Sequence, residues 1–289
     1  MKKIGYILDS FSCINQKEAQ QLGYGYFPFI VEADGNIYND GIDLTKKELL
    51  EIIEKSKNVK TSLPNLQLME NIIKKMCQEY DIVVYLPIAE TLSGAMSAAN
   101  NFTQDYKNFY ILKNRFVANQ YLSAIKYIDK LFQENKTIEN IQKEINKISL
   151  TTETYIIPTD LNYLINGGRI SNLKKFLLKS VSKMKLTPYI KFHLNDNSPA
   201  GIARGYKGAA LQIIDKLLAK VKNSSVNELL AKFEINFIYG INKIINEEIK
   251  NLFSNKQITF NNEKLNTSVI AVHTGPDAVA ISIMPKLEI

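Results

Sequence analysis

Two kinds of apolar pattern alternate along the chain: short unbroken runs, and longer stretches in which apolar residues recur every three or four positions. The runs at 3–8, 82–88 and 109–112 are too short for helices and rich in β-branched or aromatic residues, so they predict buried strands of a parallel sheet. The aromatic segment 24–31 predicts another strand, and turns are expected at 32–36 and 39–43. The periodic stretches 45–57, 66–79, 116–132 and 137–148 predict amphipathic helices, with Thr45 as a cap, and a further helix is expected over 93–103. Strands alternating with helices of this length predict an α/β lobe over residues 1–150 with a mainly parallel sheet.

A second lobe is expected over 151–289. Its strand signals lie at 155–158, 188–192 and 232–239, and its helix signals at 206–224 and 243–253, with a Lys/Leu-rich helix ending near Lys183 and a turn at 195–199. Two final runs, 266–272 and 278–283, flank His273-Thr274-Gly275-Pro276-Asp277. That close spacing predicts an antiparallel pair and makes the lobe mixed α+β.

Composition adds limits. A chain of 289 residues can build a sizeable core and more readily forms two lobes than one. The formal charge of +7 comes from 36 Lys and Arg against 29 Asp and Glu, mostly alternating along helices as solvated faces do. The densest basic patch, Lys174, Lys175, Lys179, Lys183 and Lys185 near Arg169, suits an acidic partner or phosphate groups. No aromatic stacking motif or recognition helix accompanies it, so no specific nucleic-acid binding is expected. Cys13 and Cys77 are far apart and have no metal spacing, which fits ordinary thiols in a reducing compartment. The opening Met-Lys-Lys leads into a strand rather than a signal peptide, and no apolar run is long enough to span a membrane. A soluble cytoplasmic protein without integral membrane association is the expectation.

The candidate chemistry sits where predicted strands end. Thr91-Leu92-Ser93-Gly94-Ala95 follows the central strand and enters a helix, where unpaired N–H groups, the helix dipole and the Ser93 hydroxyl can hold an anion. The other reading is that Ser93 or Thr91 only caps the helix. A second hydroxyl pair, Thr61 and Ser62, lies in an expected turn before Pro64 and the helix 66–79. A third cluster, Asp9-Ser10-Phe11-Ser12, closes the first strand. In open parallel α/β sheets such loops gather in one crevice, and converging uncharged donors suit a bound oxyanion more than a general base. His273 can meet a ligand head group or tie a turn, whereas His193 on an amphipathic strand reads as structural. Met96 reads as core filler that can touch a ligand.

An enzyme is the first rival, a hydrolase or transferase acting on a small acyl or phosphoryl substrate. It lacks a Gly-x-Ser-x-Gly elbow, a phosphate loop and clustered metal ligands, and a triad of Asp9, His273 and a serine follows only from free choice of partners. A sugar or nucleotide binding module is the other rival. Neither a catalytic set nor a cofactor is therefore expected.

Taken in order, Asp9-Ser10, Thr61-Ser62 with Pro64, Ser93-Gly94, Asp160-Leu161 with Tyr163-Leu164, Gly167-Gly168-Arg169-Ile170-Ser171 and His273-Thr274-Gly275-Pro276 resemble the DegV family. The resemblance covers 3–284 as a single DegV domain. It implies a two-lobed α/β fold that holds one long-chain fatty acid, such as palmitate, in a buried apolar tunnel. The ligand-binding residues it implies are Thr61, Ser62, Ser93 and Gly94, with the arginine of the Gly-Gly-Arg turn falling on Arg169 and the terminal histidine on His273. Some members present the fatty acid to a separate ATP-dependent fatty-acid kinase, giving an acyl phosphate for phospholipid synthesis, so the binding member is a carrier and not the catalyst. Leu63 and Asn65 stand where members often have glutamine and serine, and Ala95 and Met96 where they have threonine and tyrosine.

Physical chemistry independently favours that division of labour. A fatty carboxylate leaving water needs hydrogen bonds or a cation, since an unpaired buried charge costs several kcal/mol or more. Each tail CH₂ contributes about 0.8 kcal/mol when buried, so the tail supplies strength and the head group supplies orientation.

Overall fold

The computed structural model describes residues 2–158, 160–166, 186–193 and 196–288. By contact the chain divides into two units, Met1–Leu150 with Thr267–Val269 and Leu287–Ile289, and Thr151–Asn266 with Ile270–Lys286. Two short segments from the end of the chain thus belong to the first unit.

The first unit is built on a parallel sheet of four strands in the order β2-β1-β6-β7, namely β2 (Gly25–Phe27), β1 (Ile4–Asp9), β6 (Ile82–Leu86) and β7 (Phe109–Ile111). The unbroken apolar runs form these strands because both faces of the sheet are covered. On one face Ile7, Val83, Tyr85 and Phe109 pack with Met69, Ile73 and Met76 of α3 (Leu66–Glu79) and Ala98 and Ala99 of α4 (Ala95–Asn100). Gly5 permits that approach: a Cβ there would lie 2.7 Å from the Tyr80 ring. The alternate residues Tyr6, Leu8, Val84 and Leu86 are buried as well.

A second, antiparallel sheet of three strands has the order β4-β3-β5, from β4 (Asn36–Asn39), β3 (Ile30–Ala33) and β5 (Val59–Ser62). The aromatic segment read as one strand is therefore two, β2 and β3, in different sheets. Pro28 stands between them and can donate no ladder hydrogen bond. Helix α1 (Gln16–Gln21) and α2 (Lys46–Lys55) both begin with reciprocal caps, Asn15 with Glu18 and Thr45 with Glu48. The amphipathic helices α5 (Gln120–Gln133) and α6 (Ile138–Ser149) complete the unit.

The second unit carries a mixed sheet of six strands in the order β10-β9-β8-β13-β11-β12. These are β10 (Asp196–Arg204), β9 (Leu186–His193), β8 (Glu153–Ile157), β13 (Val279–Pro285), β11 (Phe233–Tyr239) and β12 (Asn262–Leu265). Only β11 and β12 run parallel; the other neighbours are antiparallel. Its core joins Ile157, Tyr189, Ile235, Phe237 and Ile281 to apolar residues of α8 (Gly205–Leu218), α9 (Val226–Lys232) and α10 (Lys243–Asn255). A short α7 (Leu161–Asn166) follows β8.

Three expectations change here. The run at 266–272 is no strand: α11 (Ser268–Thr274) occupies it, and β13 pairs with β11 and β8 instead of forming a terminal hairpin. Val269, Ile270 and Val272 favour strands by themselves, but Val269, Ala271 and Val272 bury within a helix, which a left-handed Gly275 ends by returning its N–H to Ala271. The expected turn at 195–199 is mostly strand β10, with Pro199 on the edge strand beside a register shift before Gly201. The helix expected over 93–103 is only the six residues of α4. The Lys/Leu-rich helix, the basic patch and Arg169 lie outside the described residues.

Candidate functional site

Leaving β1, the chain turns to β2 on one side and later reaches β6 on the other, so the strand order reverses between β1 and β6. Ligand crevices form at such a point, outside the carboxyl ends of the strands. The loops after β1 and β6 meet there.

Asp9 ends β1 fully buried. It accepts the Phe11 N–H at 3.0 Å, the Tyr85 hydroxyl at 2.8 Å and the Ile88 N–H at 2.8 Å. Burial pushes its carboxyl up to about 6, against the opposing pull of hydrogen bonds from Ile88, Tyr85 and Phe11. The carbonyl of the same peptide, on Pro87, accepts from Asn114 Nδ2 at 3.0 Å and from the Tyr121 hydroxyl at 3.2 Å. Asn114 also donates to the Leu112 carbonyl at 3.1 Å and accepts the Phe116 N–H at 3.0 Å. The start of the loop that carries Ser93 is therefore fixed from both sides.

The third hydroxyl cluster belongs to this framework and is not presented to a ligand. Ser10 and Ser12 are buried; Ser10 Oγ accepts the Phe29 N–H at 3.2 Å, and Ser12 Oγ donates to the Asp9 carbonyl at 2.6 Å. The Thr267 hydroxyl lies 2.9 Å from the Ser10 carbonyl and 3.0 Å from a carboxylate oxygen of buried Asp40, so its one hydrogen is shared between them. Neither serine is placed to act as an accessible nucleophile.

Ser93 is buried at the end of the β6 loop, and its Oγ accepts the Ala95 N–H at 3.2 Å. Gly94, not Ser93, is the N-cap of α4 and makes no side-chain cap bond, so Ser93 only meets the first N–H of the helix and retains its own hydroxyl hydrogen to donate. Gly94 follows with φ −78, which any residue adopts, and a Cβ there would meet only Leu63 Cδ1 at 3.9 Å. Beside this loop is a cavity of about 450 Å³, within the usual range for small-molecule sites. Met96 and Ile111 give it apolar wall, Ser93, Ser97 and Asn100 give it hydrogen-bonding groups, and Glu90 and Lys113 give it charge.

Thr61 and Ser62 are not in a helix-entry turn. They end β5, where Thr61 pairs with Val31 and Ser62 with Ile30. The edge of β3 supplies backbone partners that a polar Val-Lys-Thr-Ser segment gives no sign of seeking. Asn65 caps α3 by accepting the Leu68 N–H at 3.0 Å, so Pro64 lies before the cap and not at an early helical position. Thr61 is half-buried and Ser62 exposed. Through Leu63, which reaches Gly94, the two hydroxyl-bearing segments come together.

In the second unit His273 lies in the last turn of α11, and the following Gly275 stands against Tyr163: a Cβ would lie 3.2 Å from that ring. His193 Nδ1 is 2.9 Å from the Thr152 carbonyl, tying the end of β9 to the residue before β8. Among the described residues no cluster of three or more His, Cys, Asp or Glu is arranged to hold a metal, and no helix is long and apolar enough to cross a membrane. The Asp9, Asn114 and Tyr121 clamp has no motif in the sequence. Its only signal is an acidic residue ending a parallel strand.

The fold is α/β, with a crevice where the strand order of the parallel sheet reverses. The family model described as "Uncharacterised protein, DegV family" matches residues 3–286, and the chain belongs to the DegV family. A DegV domain-containing protein of Mycoplasmopsis pulmonis is 26% identical over 285 residues, covering 98% of this chain and 95% of the relative. One of Streptococcus pneumoniae is 26% identical over 286 residues, covering 98% and 99%. Among solved structures, a fatty acid (stearic acid)-binding protein of Eubacterium ventriosum superposes with a TM-score of 0.82 at 21% identity over 99% of both chains. DegV of Bacillus subtilis, a fatty acid binding protein, superposes with a TM-score of 0.80 at 22% identity, over 99% of this chain and 100% of that one.

Proposed function

We propose that this chain binds a long-chain fatty acid such as palmitate. The carboxylate is held by Thr61, Ser62 and Ser93 beside the open space at Gly94, and the acyl chain runs along an apolar tunnel. The observation that carries this reading is the approach of the Thr61–Ser62 segment to the Ser93–Gly94 loop through Leu63, together with the cavity that Ser93 and Gly94 line with apolar wall from Met96 and Ile111. The Ser93 hydroxyl, already accepting a helix N–H, donates to the carboxylate, a charge-assisted bond worth about 1.5 to 3 kcal/mol. Fatty acid binding by solved relatives of the same fold, from Eubacterium ventriosum and Bacillus subtilis, supports the choice of ligand.

The protein then acts as a carrier and not as an enzyme. It works in the cytoplasm and presents the carboxylate to a separate ATP-dependent fatty-acid kinase, whose acyl phosphate product feeds phospholipid synthesis. Denaturing extraction of the protein purified from a lipid-containing host, followed by mass spectrometry, tests the ligand: a stoichiometric long-chain fatty acid is expected. Absence of any acyl species, with no uptake of added palmitate, contradicts it.

A further inference from the structure

The cavity beside Ser93 is not lined by uncharged groups alone. Glu90 Oε2 lies 3.3 Å from Lys113 Nζ, and Glu90 Oε1 lies 3.6 Å from Arg115 Nη2. The two cations are held differently. The Arg115 side chain is 12% exposed and donates to the Asn114 carbonyl at 3.1 Å, whereas the Lys113 side chain is 62% exposed. The backbone of Lys113 is pinned at both polar groups by Gln142, at 2.8 Å each. Lys113 thus presents an exposed ammonium on a fixed root at the cavity wall, and Glu90 has in Arg115 a second, largely buried partner.

We propose that Glu90, Lys113 and Arg115 select ligands by head-group charge, favouring a monoanion over a dianion. This rests on the reading of the Ser93 loop as the head-group site. The three side chains carry a formal net charge of +1. A singly charged head group draws Lys113 across the cavity and is balanced, with Glu90 still paired to Arg115. A doubly charged head group leaves one uncompensated negative charge facing the Glu90 carboxylate. At separations of several ångströms near a protein surface, one unit of charge changes affinity about fivefold or more. Glu90 is therefore a specificity-determining residue through repulsion, the feature a merely attractive pocket lacks.

The test compares palmitate with hexadecyl phosphate, which is dianionic at about pH 8, on delipidated wild type, Glu90→Gln and Lys113→Met. Glu90→Gln is expected to shift the affinity ratio toward the phosphate by about fivefold or more, and Lys113→Met to shift it the opposite way. Both shifts should shrink in high salt. Palmitate binding with the ratio unmoved by either variant, or moved in the same direction by both, overturns the charge selection while leaving the head-group reading intact. Wild type that binds neither amphiphile overturns the head-group reading and the selection with it.

Discussion

Asp9 and Asn114 grip the two ends of one peptide group: Asp9 Oδ2 accepts the Ile88 N–H at 2.8 Å, and Asn114 Nδ2 donates to the Pro87 carbonyl at 3.0 Å. The peptide lies just beyond β6, where the ladder no longer supplies partners, so side chains from the ends of two neighbouring strands take over that task. The loop leading to Ser93 inherits its position from this clamp.

Asn114→Asp tests the clamp. The substitution keeps shape but replaces the donor to the Pro87 and Leu112 carbonyls with an acceptor, in a side chain only 3% exposed. A loss of about 2 to 3 kcal/mol is expected in urea unfolding. A loss below about 0.5 kcal/mol would show that the donor contributes little.

Asp9 makes stability depend on pH in a defined direction. Its folded-state value of about 6 lies above the unfolded value of about 3.9, so the folded protein binds this proton more tightly. The resulting stabilisation is complete below about pH 4 and is lost as pH rises through 6, an amount of about 3 kcal/mol. Relative to Asp9→Asn, wild type should become less stable between pH 4 and 7 by roughly this amount. Parallel stability curves for the two proteins would contradict the assignment.

Thr61→Ala and Ser93→Ala separate head-group recognition from structure. Each should weaken binding of palmitate by about tenfold, consistent with loss of one charge-assisted hydrogen bond, while methyl palmitate loses less because its ester carries no negative charge. Equal losses for acid and ester would move both hydroxyls into a structural role.

Gly94→Ala probes the space beside Ser93. Its φ of −78 needs no glycine, and the added methyl meets only Leu63 at 3.9 Å, so stability should change by less than about 1 kcal/mol. Calorimetric titration with palmitate should nonetheless show weakened binding, because the methyl occupies space assigned to the head group. Wild-type affinity in this variant would free Gly94 of any ligand role.

Much of the parallel sheet is legible in the sequence because β1, β6 and β7 are unbroken apolar runs. Ile82-Val83-Val84-Tyr85-Leu86 has no polar face and can only be a strand covered on both sides, as β6 is. The helices α2 and α3 follow from apolar spacing, and α2 also from its Thr45 cap. β5 is hidden because Val59-Lys60-Thr61-Ser62 forms a strand only by pairing with β3, a partner distant in the chain. α11 is hidden for the opposite reason, since a β-branched run takes a helix that buries it. The Ser93 loop follows from the pattern of strand, glycine and small residues. That Ser10 and Ser12 serve the backbone, and that Leu63 bridges to Gly94, depends on three-dimensional neighbours that spacing does not record.

The most direct measurement is a crystal structure of the protein with palmitate bound. The carboxylate is expected within about 2.5 to 3.0 Å of both the Ser93 and Thr61 hydroxyls, with the chain leading into apolar surroundings. A head group ordered away from both hydroxyls would contradict the account.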